Sequence, residues 1–489
     1  MLGFDSTYTD GPWDLKEHFR KINGVVKYSH GDNDQGFNLE AMGYDGKWRS
    51  TDQIPLRAVQ SGAIDRFGNI DPTDGGTTYR YSVSGNYWSE LGPGKITALL
   101  YDINYKLDLF SNFTYFDDDP VHGDQFEQFD KRNILGTDVR YVQPLNLFAK
   151  DGELISGIQV RYDDIKAAGL YRTEERQRLS TSRQDSVKQT SYSAFVSQRT
   201  SWTDWYRTEA GVREDFFDFK VNSNLTANSG SAGDHIASPK LTMVFGPWGK
   251  TEYFLDWGRG FHSNDARGAT IKVDPSDSVT PADSVTPLVK ATGEEIGFRT
   301  AIVPHLQLSA SLWTLELDSE LLFSGDGGTT EASRASRRTG IELSAYYTPI
   351  APLIIDADIA FARPRFTDND PVGDRIPNAV ERVYSVGASY RSTRGWFGGA
   401  RLRYLGPTAL IEDNSVRSKP TTLVNVDAGY HITQNISATV TLLNLFDERA
   451  NDITYYYESQ LRGEAAPLND IHFHPVEPRE VRATLAVKF

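Results

Sequence analysis

The chain has 489 residues, a formal net charge of −15 and no cysteine. The absence of cysteine excludes a disulfide scaffold, a cysteine-ligated metal site and a cysteine nucleophile, and the acidic charge disfavours nucleic acid as a partner. No apolar run approaches the roughly 18 residues of a transmembrane helix, but a mean hydropathy of −0.47 leaves a membrane-spanning β-barrel open, because barrel strands are apolar only at alternate positions.

The first twenty residues lack the charged start and apolar core of a signal peptide. Together with an odd count of predicted strands, this leads us to interpret residues 1–22 as the tail of a long extracellular loop. From about Gly24 onward, apolar residues alternate with polar or charged ones in roughly nineteen segments, which predicts β-strands with one apolar face. Clear examples are Tyr206–Val212, Leu306–Leu312, Leu353–Phe361, Ile436–Leu442 and Val481–Phe489.

Short and long connections alternate along the chain. The short ones are Leu91–Lys95, Ser201–Asp204, Gly246–Lys250, Val303–His305, Thr348–Pro352, Ser392–Gly395 and Thr433–Asn435. The long ones are Arg49–Thr77, Tyr162–Thr190, Ser263–Val289, Leu317–Arg338, Ala362–Ala379, Gly406–Thr421 and Asp447–Pro478. Sorting of loops by length is typical of outer-membrane barrels, so the predicted fold is all-β, an antiparallel transmembrane β-barrel with short periplasmic turns and long extracellular loops.

Several stretches resemble TonB-dependent outer-membrane receptors. They are Leu442–Asp447, Ser238–Lys240, Gly258–Thr270, Ser111–Arg132 and a last strand with aliphatic residues at alternate positions that ends on Phe489. The resemblance covers the whole chain. It implies a twenty-two-stranded barrel closed by an N-terminal plug, of which residues 23–489 would be the last nineteen strands, with the plug and the first strands missing.

The resemblance also implies a function. We expect a non-enzymatic, monomeric receptor and transporter in the outer membrane of a Gram-negative bacterium, without catalytic residues or a cofactor. It would take up a bulky scarce nutrient, with a ferric siderophore or other metal chelate favoured, and would couple to the TonB complex through its missing N-terminal part. Two alternatives stay open: a secreted or surface carbohydrate-active enzyme, which needs a carboxyl pair in a cleft, and a plugless diffusion porin.

One long loop contains the strongest candidates for ligand contact. Residues i and i+2 of an extended segment face the same way, so the imidazoles of His472 and His474 could meet one metal chelate. Tyr455, Tyr456 and Tyr457 precede them in the same loop. The alternative is a loop that folds against the barrel rim.

A second candidate group follows a predicted strand end. His262, Asn264, Asp265 and Arg267 are expected to line the barrel mouth, or else to hold their loop by hydrogen bonds. Acidic clusters such as Asp117–Asp119 are read either as calcium ligands or as solvated turns, and their spacing matches no EF-hand.

Overall fold

The computed structural model describes residues 1–324 and 329–488. The terminal Phe489, which the sequence analysis places in the last strand, lies outside the described residues, as do residues 325–328 of the predicted loop that begins at Leu317. Among the described residues, no helix is both long and apolar enough to cross a membrane.

The described chain forms one twenty-stranded antiparallel sheet with small additions in its loops. In chain order the strands are β1 Leu2–Thr9, β2 Phe19–Gly31, β3 Gly36–Arg49, β4 Ile54–Pro55, β5 Gly75–Leu91, β6 Gly94–Ser111, β7 Phe126–Leu147, β8 Lys150–Glu174, β9 Gln177–Thr203, β10 Tyr206–Ser223, β11 Gly230–Trp248, β12 Thr251–Ser263, β13 Leu288–Thr300, β14 Leu306–Leu317, β15 Leu321–Ser324, β16 Thr329–Ala332, β17 Ser336–Ile350, β18 Leu353–Phe366, β19 Arg382–Tyr390, β20 Gly395–Leu405, β21 Thr421–His431, β22 Ile436–Leu443, β23 Asn451–Ser459, β24 Leu468–Pro475 and β25 Glu480–Val487. Strands β4, β15, β16, β23 and β24 stand outside the large sheet, and two short helices, α1 Leu56–Gln60 and α2 Ala266–Thr270, lie in loops.

Every strand of the large sheet pairs with its neighbours along the chain, so the sheet is a series of hairpins. At one end the connections are tight, as in residues 92–93 and 249–250. At the other end they include the loops 50–74, 264–287 and 444–479. The predicted all-β antiparallel fold is therefore confirmed; we call these two ends the turn end and the loop end.

The start of the chain differs from expectation. Residues 2–9 form β1, paired with β2 from Leu2↔Val26 to Thr9↔Phe19, so the interpretation of residues 1–22 as a loop tail is wrong. Residues Leu2, Phe4, Ser6 and Tyr8 do alternate with smaller or polar ones, but so short a run rich in Ser, Thr and Asp is also typical of a loop. The sheet gains one strand over the roughly nineteen predicted.

The segment Tyr162–Thr190 is also not a long loop. It is the far half of the β8–β9 hairpin, whose strands have 25 and 27 residues and whose turn is only Glu175 and Arg176. Both turn residues have positive φ, 49° and 65°, as a two-residue hairpin turn requires. Both strands are much longer than the ten or so residues that cross a bilayer, so the part beyond the membrane is polar and resembles a loop in sequence.

The sheet curls until its first and last loops touch. The ring of Trp13, after β1, lies 4.5 Å from the ring of His474, before β25. Within residues 1–324 and 329–488, β1 pairs only with β2 and β25 only with β22. The loops next to the two edge strands are therefore in contact, as expected of a sheet that curls into a barrel wall.

The two faces of the wall are chemically distinct. Apolar side chains such as Val212, Phe216 and Leu485 are exposed on the outer face. Alternate residues point inward and form polar contacts, such as the 2.8 Å ion pair of Arg213 with Asp215. This arrangement agrees with the predicted strands that have one apolar face, since a membrane barrel keeps charges away from lipid and turns them towards the lumen.

Inward-facing aromatic rings cover glycines on neighbouring strands. In each pair the ring and the glycine are direct register partners, and a Cβ on the glycine would come within 2.2 to 2.6 Å of the ring. The pairs are Tyr101↔Gly136, Phe195↔Gly157, Phe254↔Gly297, Trp313↔Gly340 and Phe397↔Gly429. Only glycine leaves room for such close cross-strand packing.

Candidate functional site at the loop end

Two distant loops join in a small sheet at the loop end. Strand β4 pairs with β24, with His472 opposite Pro55 and Phe473 opposite Ile54, and β24 pairs with β23. The side chains of His472, Phe473 and Ile54 are almost fully buried. The loop 444–479, which holds most of the predicted ligand-binding residues, is thus anchored on the loop 50–74.

Arg57, at the start of α1, is the polar centre of this small sheet. Its guanidinium donates to both carboxylate oxygens of Glu464, at 2.8 and 2.9 Å, and to the Ser459 carbonyl at 2.8 Å. Its backbone N–H donates to Asp470 at 2.8 Å. One arginine therefore satisfies several acceptors of the loop 444–479.

His472 lies inside this small sheet and not at its surface. One ring nitrogen is hydrogen-bonded to the Ser459 hydroxyl at 2.7 Å, the other to the Asp470 carbonyl at 3.0 Å, and the ring stacks on Tyr457 at 3.8 Å. Burial lowers the pKa of His472 to about 4, against the smaller opposing effect of the Asp470 carbonyl. The imidazole is neutral near pH 7 and both nitrogens are engaged, an arrangement that stabilises the loop.

The buried imidazole predicts an acid-sensitive loop. The folded pKa of His472 lies below its usual 6.5, so the unfolded loop takes up the proton first, and stability is lost as pH falls from about 6.5 towards 4. At pH 4 the stability of the folded loop is lower than at neutral pH by about 3 kcal/mol. Hydrogen exchange of the β23 and β24 amides should show this fall, and the variant His472→Gln should show much less of it.

The comparison with His472→Gln is needed because nearby carboxyls act in the opposite sense. Burial raises the pKa of Asp52 and raises that of Asp74 well above its usual range, so protonation of both favours the folded loop in acid. Both carboxyls are retained in the variant. Identical pH profiles for the variant and the unaltered chain would contradict the assignment to His472.

The remaining residues of the predicted histidine and tyrosine group have separate surroundings. His474 pairs with Asp452 at 3.0 Å, and its ring lies tilted against that of Trp13. Tyr455 is 39% exposed and lines a shallow pocket with Asp452, whereas Tyr456 is half-buried. The structure therefore brings His472 together with Tyr457, and leaves Tyr455 and His474 nearer the surface.

The second predicted group holds its own loop. His262 donates to the Ser319 carbonyl at 3.2 Å, and the side-chain amide of Asn264 donates to the Thr286 carbonyl at 2.6 Å. Asp265 accepts from the backbone N–H of Arg267 at 2.8 Å and caps α2.

Asp265 and Arg267 of this group form an ion pair with each other. The Arg267 guanidinium donates to both oxygens of Asp265, at 2.7 to 3.1 Å. Burial would raise the pKa of Asp265, but the charge and hydrogen bonds of Arg267 hold it at about 2. Arg183, from β9, adds a hydrogen bond at 3.2 Å to the Arg267 carbonyl. The contacts of this group match the loop-holding alternative of the sequence analysis.

The acidic cluster Asp117–Asp119 serves a turn. The carboxylate of Asp124 accepts the backbone N–H groups of Asp117, Asp118 and Asp119 at 2.8 to 3.1 Å. Across the described residues, no group of three or more His, Asp or Glu side chains is arranged to hold a metal ion. These hydrogen bonds are the ones that Asp favours in turns.

Sequence reasoning missed a basic cavity on the inner wall. An open cavity of about 600 Å³ is lined by residues of β7 to β12 and contains aromatic surface from Phe195 and Phe261. Its basic residues are Arg140, Arg199, Arg213, Lys240 and Arg259, and its one acidic lining residue is Glu209. Inward charges were predictable from alternation, but their meeting in one place depends on the register of six strands.

Four of the five cations of this cavity have carboxylate partners in the protein, namely Arg140 with Asp138, Arg199 with Glu153 and Glu209, Arg213 with Asp215, and Lys240 with Glu209. Glu209 accepts from Lys240 at 2.5 Å and from Arg199 at 3.0 Å. Among the described residues Arg259 has no ion-pair partner, and its guanidinium lies 6.0 Å from the centre of the Trp257 ring. An anion in this cavity would find several donors close together.

Comparison with known proteins assigns the fold to a family. The model of a TonB-dependent receptor-like β-barrel matches residues 7–445. The chain belongs to this family. Members of the TonB-dependent receptor family are outer-membrane proteins that act as receptors and transporters of small molecules such as siderophores, and they interact with TonB.

Solved structures of the TonB-dependent family share the barrel at low sequence identity. The ferric citrate transporter FecA in its unliganded form has a TM-score of 0.80 at 15% identity, over 100% of this chain and 73% of FecA. The copper transporter OprC has a TM-score of 0.76 at 17% identity, over 100% of this chain and 76% of OprC. The siderophore receptor PiuA from Acinetobacter baumannii has a TM-score of 0.77 at 12% identity, over 99% of this chain and 76% of PiuA.

Proposed function

We propose that this TonB-dependent receptor is a monomer that takes up an anionic metal chelate, of the ferric siderophore class, across the outer membrane of a Gram-negative bacterium. The carrying observation is the basic inner cavity, whose lining has five cationic side chains and one carboxylate. Family membership supports TonB coupling, and the solved relatives named above include ferric citrate, copper and siderophore transporters. We propose no catalytic role for the chain.

The charge and size of the cavity fit such a ligand. Chelators bind metal ions through deprotonated oxygens, so their complexes commonly carry negative charge. Guanidinium groups match carboxylate and similar planar oxygen pairs by two parallel hydrogen bonds. The cavity volume lies within the usual range of about 300 to 1,000 Å³ for small-molecule sites.

The loop residues complete the proposed path. Tyr455 is exposed and His474 is partly exposed at the loop end, so we assign them to first contact with the ligand. His472 and Tyr457 support the same loop from inside. The second candidate group, at α2, holds the neighbouring loop in place.

The test is binding and growth of the full-length protein with a panel of ferric siderophores, cobalamin and oligosaccharides. Combining Arg199→Gln, Lys240→Gln and Arg259→Gln is expected to weaken binding of the anionic ferric chelate at least tenfold, about 1.4 kcal/mol, because the cavity loses three positive charges. Binding would be measured by quenching of intrinsic fluorescence.

A matched control removes positive charge elsewhere. Arg299, near the turn end, and Arg482, in β25, line none of this cavity, so Arg299→Gln with Arg482→Gln should leave binding unchanged. Equal loss in both variants would show a general charge effect. Uptake of cobalamin or an oligosaccharide, without any ferric chelate, would overturn the proposed ligand class.

A further inference from the structure

A row of lysines crosses the outer wall at the loop end. Strands β7 to β10 each contribute one exposed lysine there, and β6 contributes a half-buried one. The five are Lys106, Lys131, Lys166, Lys188 and Lys220, here called the lysine belt. Their strands are adjacent in the sheet, so at about 4.8 Å per strand the belt spans roughly 19 Å.

The belt faces away from the lumen. On β9 and β10 the residues that alternate with it, Val187, Phe219 and Val221, are buried inside against Ala266 of α2. Because successive strand residues point to opposite faces, Lys188 and Lys220 point outward. The belt is therefore separate from the basic cavity of the inner wall.

The belt stands at a constant height above the apolar band. On each of β7 to β10, the lysine is four residues beyond an outward apolar or aromatic residue, with one outward polar residue between them. The sets are Leu135–Asn133–Lys131, Tyr162–Asp164–Lys166, Tyr192–Thr190–Lys188 and Phe216–Asp218–Lys220. Four residues rise about 13 Å along a strand, or about 9 Å along the membrane normal at a 45° tilt, which is headgroup level.

Two lysine pairs in the belt are direct register partners. Lys106 is opposite Lys131, and Lys188 is opposite Lys220. Like charges directly opposite each other on one face of a sheet are destabilising. Such pairs become favourable when an anion lies between them.

Carboxylates of the protein neutralise only part of the belt. Lys166 pairs with Asp164, and Lys106 lies 3.8 Å from Asp108. Over residues 1–324 and 329–488, Lys131, Lys188 and Lys220 have no ion-pair partner. Asp218 lies two residues before Lys220 on the same outward face without forming an ion pair with it.

We propose that the lysine belt binds the phosphate groups of lipid headgroups in the membrane leaflet at the loop end. Lysine is a flexible point charge that suits phosphate, and its aliphatic stem can lie along the apolar band below. Continuity with that band favours a lipid over a soluble anion. This inference requires only that the barrel crosses a membrane, so it stands or falls separately from the transported ligand.

The test measures retained lipid. The purified full chain would be reconstituted with a bis-phosphorylated glycolipid or with the same glycolipid lacking phosphates, and the lipid that stays bound through detergent washing would be counted by native mass spectrometry. Lys131→Gln with Lys188→Gln and Lys220→Gln should retain at least tenfold less phosphorylated lipid. The unaltered chain should retain little of the phosphate-free lipid.

Matched substitutions at the turn end provide the control. Lys95 is the second residue of β6 and Lys150 the first of β8, both at that end, and Lys95→Gln with Lys150→Gln should leave lipid retention unchanged. Unchanged far-ultraviolet circular dichroism verifies that each variant is folded. Equal retention by the belt variant would overturn the inference, as would equal retention of phosphate-free lipid or complete displacement of lipid by excess inorganic phosphate.

Discussion

Replacing Asp185 with leucine is expected to destabilise the loop end of the barrel by about 3 to 5 kcal/mol, because it leaves the buried guanidinium of Arg183 without its carboxylate. The two side chains are 2% and 0% exposed, and they are joined by a 2.5 Å ion pair. Burial also lowers the pKa of Arg183, because a charged guanidinium is disfavoured away from water. Thermal unfolding and hydrogen exchange of α2 and its loop would measure the loss.

Two comparisons isolate the effect of burial. Glu480 and Arg482 form an ion pair with the same i, i+2 spacing on β25, but their side chains are 38% and 55% exposed. Glu480→Leu should therefore cost less than about 1 kcal/mol. The double variant Arg183→Met with Asp185→Leu should recover most of the lost stability, since no charge stays buried alone. A loss at Glu480 equal to that at Asp185 would refute this explanation.

Replacing Arg57 with methionine should release the loop 444–479 from the loop 50–74. The change removes four side-chain hydrogen bonds, at 2.8 to 3.0 Å, to Glu464 and Ser459. The Arg57 and Glu464 side chains are 18% and 24% exposed, so we expect a loss of about 2 kcal/mol, less than for a fully buried ion pair. Limited proteolysis should then cut within residues 444–479 many times faster than in the unaltered chain.

A neighbouring arginine serves as the control for Arg57. Arg462 lies in the same loop but is exposed and lies 4.5 Å from the ring centre of Phe116. Arg462→Met removes the same charge and should change the cleavage rate little. If both variants are cleaved equally fast, the loop is held by general charge balance and not by the contacts of Arg57.

The barrel wall was predictable because lipid imposes a pattern on it. Residues such as Val212, Phe216 and Leu485 are apolar at every second position because one face meets the membrane and the other the lumen. That constraint ends where a strand leaves the membrane. The outer halves of β8 and β9 meet water outside, so they lose the alternation and could not be told from a loop by periodicity.

The interior of the loop end was not predictable from local sequence. The i, i+2 spacing of His472 and His474 indicates a shared ligand, yet each imidazole has its own nearby partners in space. Trp13, which packs on His474, is 461 positions away in the chain. Such contacts depend on how the whole sheet curls, which no short sequence pattern records.

The ring–glycine pairs fix the register between neighbouring strands of the barrel wall. If β6 slid by one residue against β7, Tyr101 would face Leu135 or Thr137 in place of Gly136, and the ring would lose its recess. The same holds for Trp313 and Gly340 between β14 and β17. Because the stagger of successive strands determines the diameter of a barrel, these recesses help to set the width of the pore.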